Sequence, residues 1–408
     1  MTKKCPLALK LYFYANGKEK YDIMDFFTTN VIQYTSNNRR YDFSVKPDFI
    51  YGLHQDLVTK GGSMYAYWNG TVWSRDLNSL VVDIDNALKI EAQKIIDENP
   101  GKSVDVGYTS KHSTGLMTDF LQFCKAQQPK DVKFNQRIIF SNETMNRDMY
   151  ATAQLDYYPK EGDTENFHTL FEKLYAPSEF DKLRWTIGMI LSGQTHKVQK
   201  MLFLYGEKGS GKGSFISILK RLTQGYYGTF NLGLLTSSDQ FATGGLEEKP
   251  VLIDDDADAS RVFNDTHLLK LTAHETVIVN NKYQTTYPIE FQGMLIAASN
   301  KTIKIRDVDA GLVRRVIEVR PTSDRWSPAE YRQLMNGIQY EIPAIAYECI
   351  KFVEEVGVDY YYDYVPLEMM EDTDIVFQFM RNHILDLGDK VTLNRAAAMY
   401  VEYIEDLG

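Results

Sequence analysis

Residues 201–222 read MLFLYGEKGSGKGSFISILKRL, and this stretch decides the fold. Five apolar residues, 201–205, form a short strand. Gly206, Glu207, Lys208, Gly209, Ser210 and Gly211 follow, then Lys212, Gly213 and Ser214, then an apolar helix. A GxxxxGK run between a strand and a helix is the context of a phosphate-binding loop. Glycines let backbone N–H groups turn inward around a phosphate. The helix N-terminus adds a favourable dipole, and Lys212 supplies a point charge. Ser or Thr normally follows the lysine and binds Mg²⁺. Here Gly213 stands there and Ser214 comes next. Either Ser214 substitutes or Mg²⁺ is held through water.

From residue 201 onward apolar strands alternate with helices, as expected of an α/β sheet domain. The runs are PVLID, THLLKLTA, TVIVN, MLIAAS and RVIEVR. Upstream, NFHTLFEKLY and EFDKLRWTIGMILSG read as helices broken at Pro177. Residues 1–160 mix strand-like runs (LKLYFYANG, SMYAYWNGTVW, FNQRIIFSNETM) with a helix over 80–97, and Asn69-Gly70 marks a hairpin. The chain reads as helical from 326 to 356, then acidic and tyrosine-rich, then helical again.

Composition narrows the classes. The chain has 408 residues, 44% apolar and 25% charged, an ordinary globular balance. No run of about 18 uncharged apolar residues is present, so no transmembrane helix is expected. The N-terminus lacks an h-region and a cleavage site, and reads as mature protein. Cys5, Cys124 and Cys349 are scattered, which excludes a disulfide scaffold or zinc finger and suits a reducing cytoplasm. The net charge is −10, yet 321–408 alone hold 6 Lys and Arg against 17 Asp and Glu. Residues 201–320 are balanced at 14 and 14. A broad basic face for duplex DNA is therefore not expected, whereas a strand held in a confined channel is compatible with this distribution.

Three further stretches carry chemistry. PVLIDDD (250–256) is an apolar strand ending in three aspartates. Such carboxylates hold the Mg²⁺ shell and polarise the attacking water. Asp254 and Asp255 are chosen as directly following the strand, and Asp256 is the rival if the strand runs one residue further. MLIAASN (294–300) is a second buried strand ending in Asn300, an amide able to sense a γ-phosphate. DAGLVRRVIEVRP places Arg314 and Arg315 ahead of another strand. Arg315 is chosen to reach a neighbouring subunit's γ-phosphate, with Arg314 next.

The GKGS order resembles adenylate kinase, but that enzyme's loop lies near the start of its domain, and here 200 residues precede it. The ordered set GEKGSGKGS, VLIDDD, LLKLTAHETVIVNNKYQTTYPIEF, MLIAASN and GLVRR instead resembles superfamily 3 helicases. It looks most like the helicase part of phage and plasmid primase–helicases, the group that includes the poxvirus enzyme. AYWNGTVWSRDL and RIIFSNETMNRDMYATAQLDYYP are similar, more loosely, to segments of that family's preceding domain. No primase domain is expected within 1–160, which lack an acidic catalytic cluster, and 375–408 resemble the start of a winged helix.

The resemblance implies an α/β AAA+ P-loop ATPase core of superfamily 3 type, with an α+β N-terminal domain and a helical C-terminal region. The expected divisions are 1–160 (accessory domain), 161–200 (helical collar or linker), 201–325 (core) and 326–408 (helical, a partial winged helix). It implies ATP and Mg²⁺ as cofactors and a homo-oligomer, a hexameric ring, acting on single-stranded or forked DNA. A separate primase or polymerase is an expected partner, and a membrane is not. In the family a basic residue at a hairpin tip grips nucleic acid. Lys282 matches it, flanked by Asn281 and Tyr283. The competing readings are an ATP-switched replication initiator or loader without strand separation, and a packaging motor.

Overall fold

A computed structural model of the chain describes residues 27–35, 40–49, 57–60, 64–69, 71–106, 113–237, 239, 241–259, 266–280, 286–303, 311–322, 324–387 and 391–406. It is a mixed α/β protein with a parallel sheet and several helices. Two compact units are present. The first runs to Asn135 and includes Thr144–Gln154; the second comprises Gln136–Glu143 and everything from Leu155.

In the first unit, β1 (Phe27–Gln33), β2 (Phe43–Phe49) and β6 (Val104–Val106) form one sheet, in the order β1-β2-β6. A second sheet has the order β5-β4-β3-β7, from β3 (Leu57–Lys60), β4 (Met64–Trp68), β5 (Trp73–Ser74) and β7 (Lys130–Asp131). The Asn69 side chain accepts the amides of Thr71 and Val72 and so turns the chain between β4 and β5. The helix expected over 80–97 is α1, Leu77–Glu98, N-capped by Asp76, which accepts from the Ser79 amide at 3.1 Å. With α2 (Ser113–Ala126) it buries Leu80, Ile84, Leu88 and Phe120 beneath β1 and β2. FNQRIIFSNETM forms no regular strand: Asn135 bridges Ala151, and Leu155 donates to the Ile139 carbonyl. LKLYFYANG lies outside the described residues.

The second unit is built on β8 (Met201–Tyr205), β9 (Gly228–Thr229), β10 (Val251–Asp254), β13 (Met294–Ser299) and β14 (Val316–Val319). They lie in the order β14-β8-β13-β10-β9, every pairing parallel. A parallel sheet is covered on both faces, which explains runs such as MLFLY that do not alternate with polar residues. Leu202 and Leu204 face one apolar cluster, and Met201 and Phe203 face the other.

The first cluster is formed with α3 (Glu165–Leu174), α4 (Pro177–Leu191), α5 (Lys212–Leu222) and the long α8 (Pro328–Val356). The second is formed with α6 (Leu232–Leu235), α7 (Thr266–Thr272) and an antiparallel hairpin of β11 (Thr276–Val279) and β12 (Tyr287–Glu290). Packing is close where α4 meets α8: a Cβ on Gly188 would lie 2.1 Å from the Cys349 carbonyl. The buried Glu341 carboxylate on α8 accepts the amides of Asn166 and Phe167, both at 3.0 Å. It thereby caps the positive end of α3.

Shorter helices follow: α9 (Leu367–Thr373), α10 (Ile375–Asn382), α11 (Ile384–Leu387) and α12 (Leu393–Asp406). Arg320 ties α9 to β14 through Glu318, Glu368 and Asp372. Among the described residues, no helix is long and apolar enough to cross a membrane.

Candidate functional site

Three adjacent strands of the central sheet end side by side. The Gly206–Gly211 loop leaves the C-terminal end of β8, Asn300 follows β13, and Asp255 and Asp256 follow β10. The spatial order β8-β13-β10 places Asn300 between the loop and the aspartates. The C-terminal edge of a parallel sheet is where such folds bind ligands. Hydrogen bonds stitch these ends together. The Gly206 amide donates to the Ser299 carbonyl at 3.2 Å, and the Ala257 amide to the Ala298 carbonyl at 2.8 Å.

A cleft of about 750 Å³ opens there, lined by Lys208 through Ser214, Asp255, Asp256, Asn300, Leu174, Arg325, Trp326 and Tyr331. Gly209 and Gly211 have φ of +81° and +109°, conformations that favour glycine. At Gly211 a Cβ would also meet Leu174 at 2.9 Å. At Gly213 it would meet nothing within 4 Å, so packing does not force glycine where Ser or Thr is usual. Among the described residues, the amides of Gly209, Gly211, Lys212 and Gly213 donate to no other group of the chain, and Gly211 gives α5 no side-chain cap. The Ser210 hydroxyl is buried without a partner among the described residues. Unsatisfied donors concentrated at a helix N-terminus form a concavity for an anion. The residues present therefore fit a phosphate chain.

Lys212 folds back over the loop. Its Nζ donates to the carbonyls of Gly206 and, at 2.9 Å, Glu207. Burial pushes its pKa below the ordinary lysine value, and the Asp256 carboxylate opposes that shift. Asp255 is paired instead with Lys220, two turns along α5, at 3.0 Å. The Ser214 hydroxyl lies 3.3 Å from the Tyr331 hydroxyl within the cleft.

Asp254 is not among the cleft residues. β10 runs through it, and its Oδ2 accepts the Leu232 amide at 2.7 Å, at the start of α6. Burial raises its pKa, and this hydrogen bond opposes the rise. The strand thus extends one residue beyond the expected end, and Asp256 lies in the cleft where Asp254 was expected.

Arg315 is also outside the cleft. It immediately precedes β14, and Val316 pairs with Met201, so it lies level with Lys200 at the opposite end of β8 from the loop. It is 8% exposed, its Nε and Nη1 have no partner among the described residues, and burial followed by the neighbouring Arg314 lowers its pKa. Arg314 is exposed.

The TVIVNN and QTTYPIEF runs form the hairpin β11–β12, with Val277 opposite Ile289. Its base is fastened by side chains. His274 contacts the carbonyls of Phe291 and Val198 at 2.9 and 2.8 Å. Thr243 bonds the Ile278 carbonyl and the Asn280 amide. Gln136 accepts the Gln292 amide and donates to the Glu290 carbonyl. Asn281, Lys282 and Tyr283 lie outside the described residues.

The cleft's second wall was not read from the sequence. Leu174, Arg325, Trp326 and Tyr331 come from segments remote from the glycine loop. The available signal was SPAE at 327–330. It forms a capping box in which Ser327 and Glu330 exchange hydrogen bonds and start α8 at the cleft.

Residues 204–315 match a family described as "Family of unknown function (DUF5906)". That span runs from the end of β8 to the arginine pair. No curated protein matches the chain. Solved structures similar to it include "The apo structure of NrS-1 C terminal region (305-718)", 15% identical with a TM-score of 0.40, covering 70% of this chain and 77% of that one. Another is "The A form apo structure of NrS-1 C terminal region-CTR", 18% identical with a TM-score of 0.38, covering 61% and 67%.

Proposed function

We propose that this chain is a P-loop ATPase with an AAA+ core of superfamily 3 type. In this reading it is a ring helicase that translocates on single-stranded DNA during phage or mobile-element replication. The observation that carries the reading is the cleft itself. One sheet edge brings together a glycine loop with unsatisfied amides, Lys212, two aspartates and Asn300.

In this reading the loop amides and Lys212 bind the β- and γ-phosphates, and Lys212 exchanges its loop carbonyls for phosphate oxygens. Ser214 and Asp256 are the residues that would hold Mg²⁺, which when bound neutralises charge on the phosphate oxygens. Asp255 orients and polarises the attacking water, and Asn300 hydrogen-bonds the γ-phosphate. The arginine pair serves the neighbouring subunit's nucleotide, since it stands at the far end of β8 from its own loop. Arg314 has the solvent exposure that this requires, whereas Arg315 is buried. Lys282, repeated around a ring, grips the strand; the anchored base of β11–β12 would transmit movement to it.

Strand displacement on a forked DNA tests this reading against an ATP-switched loader. The expected result is ATP-dependent unwinding by the unmodified chain and none by Lys282→Glu, which adds repulsion where a phosphate contact is lost. ATP hydrolysis without unwinding in the unmodified chain favours the loader. Normal unwinding by Lys282→Glu removes the hairpin from the mechanism.

A further inference from the structure

The cleft is lined by two chemically different kinds of group. Lys208, Lys212 and the open amides offer a place for phosphate. Leu174, against Gly211, and Trp326 add apolar and aromatic surface. A nucleoside triphosphate has the same division, a polyanion joined through ribose to a flat, weakly polar base. We infer that Trp326 is the platform on which the nucleobase stacks, an assignment that rests on the nucleotide reading above.

The ring is fixed before any ligand arrives. Its Nε1–H donates to the Leu170 carbonyl at 3.2 Å. The Lys173 ammonium stands over the ring, 4.1 Å from its centroid. The indole also packs against the apolar cluster on that side of the sheet. The N–H is engaged and Lys173, which is not among the cleft residues, stands over one face, while the indole itself lines the cleft. A ring already held in one rotamer loses little conformational freedom on stacking, so most of the contact energy remains as affinity.

The neighbouring aromatic does not compete for this role. The Tyr331 hydroxyl is 3.3 Å from the Ser214 hydroxyl, which places its polar end toward the phosphates. Stacking on an aromatic side chain strengthens binding about ten-fold per base in nucleic-acid complexes, and is the source of the magnitude expected here.

The test compares a ligand that has a base with one that lacks it. ATP hydrolysis is measured with inorganic tripolyphosphate as the competing inhibitor, in the unmodified chain and in Trp326→Ala, Trp326→Leu and Trp326→Phe. Trp326→Ala and Trp326→Leu should raise KM for ATP about ten-fold, the loss falling on KM more than on kcat. Inhibition by tripolyphosphate should stay as in the unmodified chain, and Trp326→Phe should recover most of the ATP affinity. Trp326→Leu keeps apolar bulk without a stacking face and carries the test if the alanine variant does not fold. An unchanged KM for ATP in the leucine variant overturns the inference. So does equal weakening of ATP and tripolyphosphate, which would mean that Trp326 only supports the loop. If the unmodified chain neither hydrolyses ATP nor binds tripolyphosphate, the nucleotide reading fails first and this assignment falls with it.

Discussion

Lys212→Ala abolishes ATP hydrolysis while the chain remains folded. The lysine begins α5, and its Nζ rests on two carbonyls of its own loop. Those contacts belong to the glycine loop, so their loss leaves both apolar clusters around the sheet unchanged. What disappears is the cation that faces the β/γ-phosphates as charge shifts during transfer. The loop amides still bind an anion, but their partial charges do not replace a full one. Phosphate release should fall to background, and circular dichroism with thermal melting should match the unmodified chain. Wild-type turnover would remove Lys212 from the mechanism.

Asp256→Asn lowers kcat about 10²-fold or more, within the range typical of a lost charged or general-base group in a reacting centre. The change keeps size and removes the charge that faces Lys212. Asp254→Ala has a different signature. That carboxylate is buried and accepts the Leu232 amide, so its removal costs stability, about 1–3 kcal/mol for a buried donor left unsatisfied. Hydrolysis by the folded fraction should fall far less than in Asp256→Asn. Single-turnover kinetics beside melting curves separate the two effects. Equal catalytic losses at both positions, with melting unchanged, would return Asp254 to the reacting centre.

The same pair indicates how far the sequence could be read. The apolar run at 201–205, the glycine spacing and the amphipathic helix were legible because each is a local pattern with a physical cause. The hairpin was legible for the same reason, two β-prone runs flanking a polar segment. The assignment of the aspartates depends on where β10 ends: with the strand running through Asp254, the pair that follows it is Asp255 and Asp256 instead of Asp254 and Asp255. The burial of Arg315 was hidden because arginine ahead of a strand usually reads as exposed. Trp326 was hidden because the cleft wall it forms depends on how α3 and α8 pack, and no local pattern encodes that. FNQRIIF read as a strand from its apolar content, yet the described chain gives it only isolated bridges.

In the proposed reading the cleft beside Lys212 hydrolyses Mg-ATP in response to a nucleic-acid strand. Phosphate release by the unmodified chain, with Mg²⁺, with and without single-stranded DNA, and with Lys212→Ala as background, tests it most directly. Mg²⁺-dependent hydrolysis that rises when the strand is added and is absent in Lys212→Ala is the expected result. Release no greater than that of Lys212→Ala, with or without DNA, would contradict it.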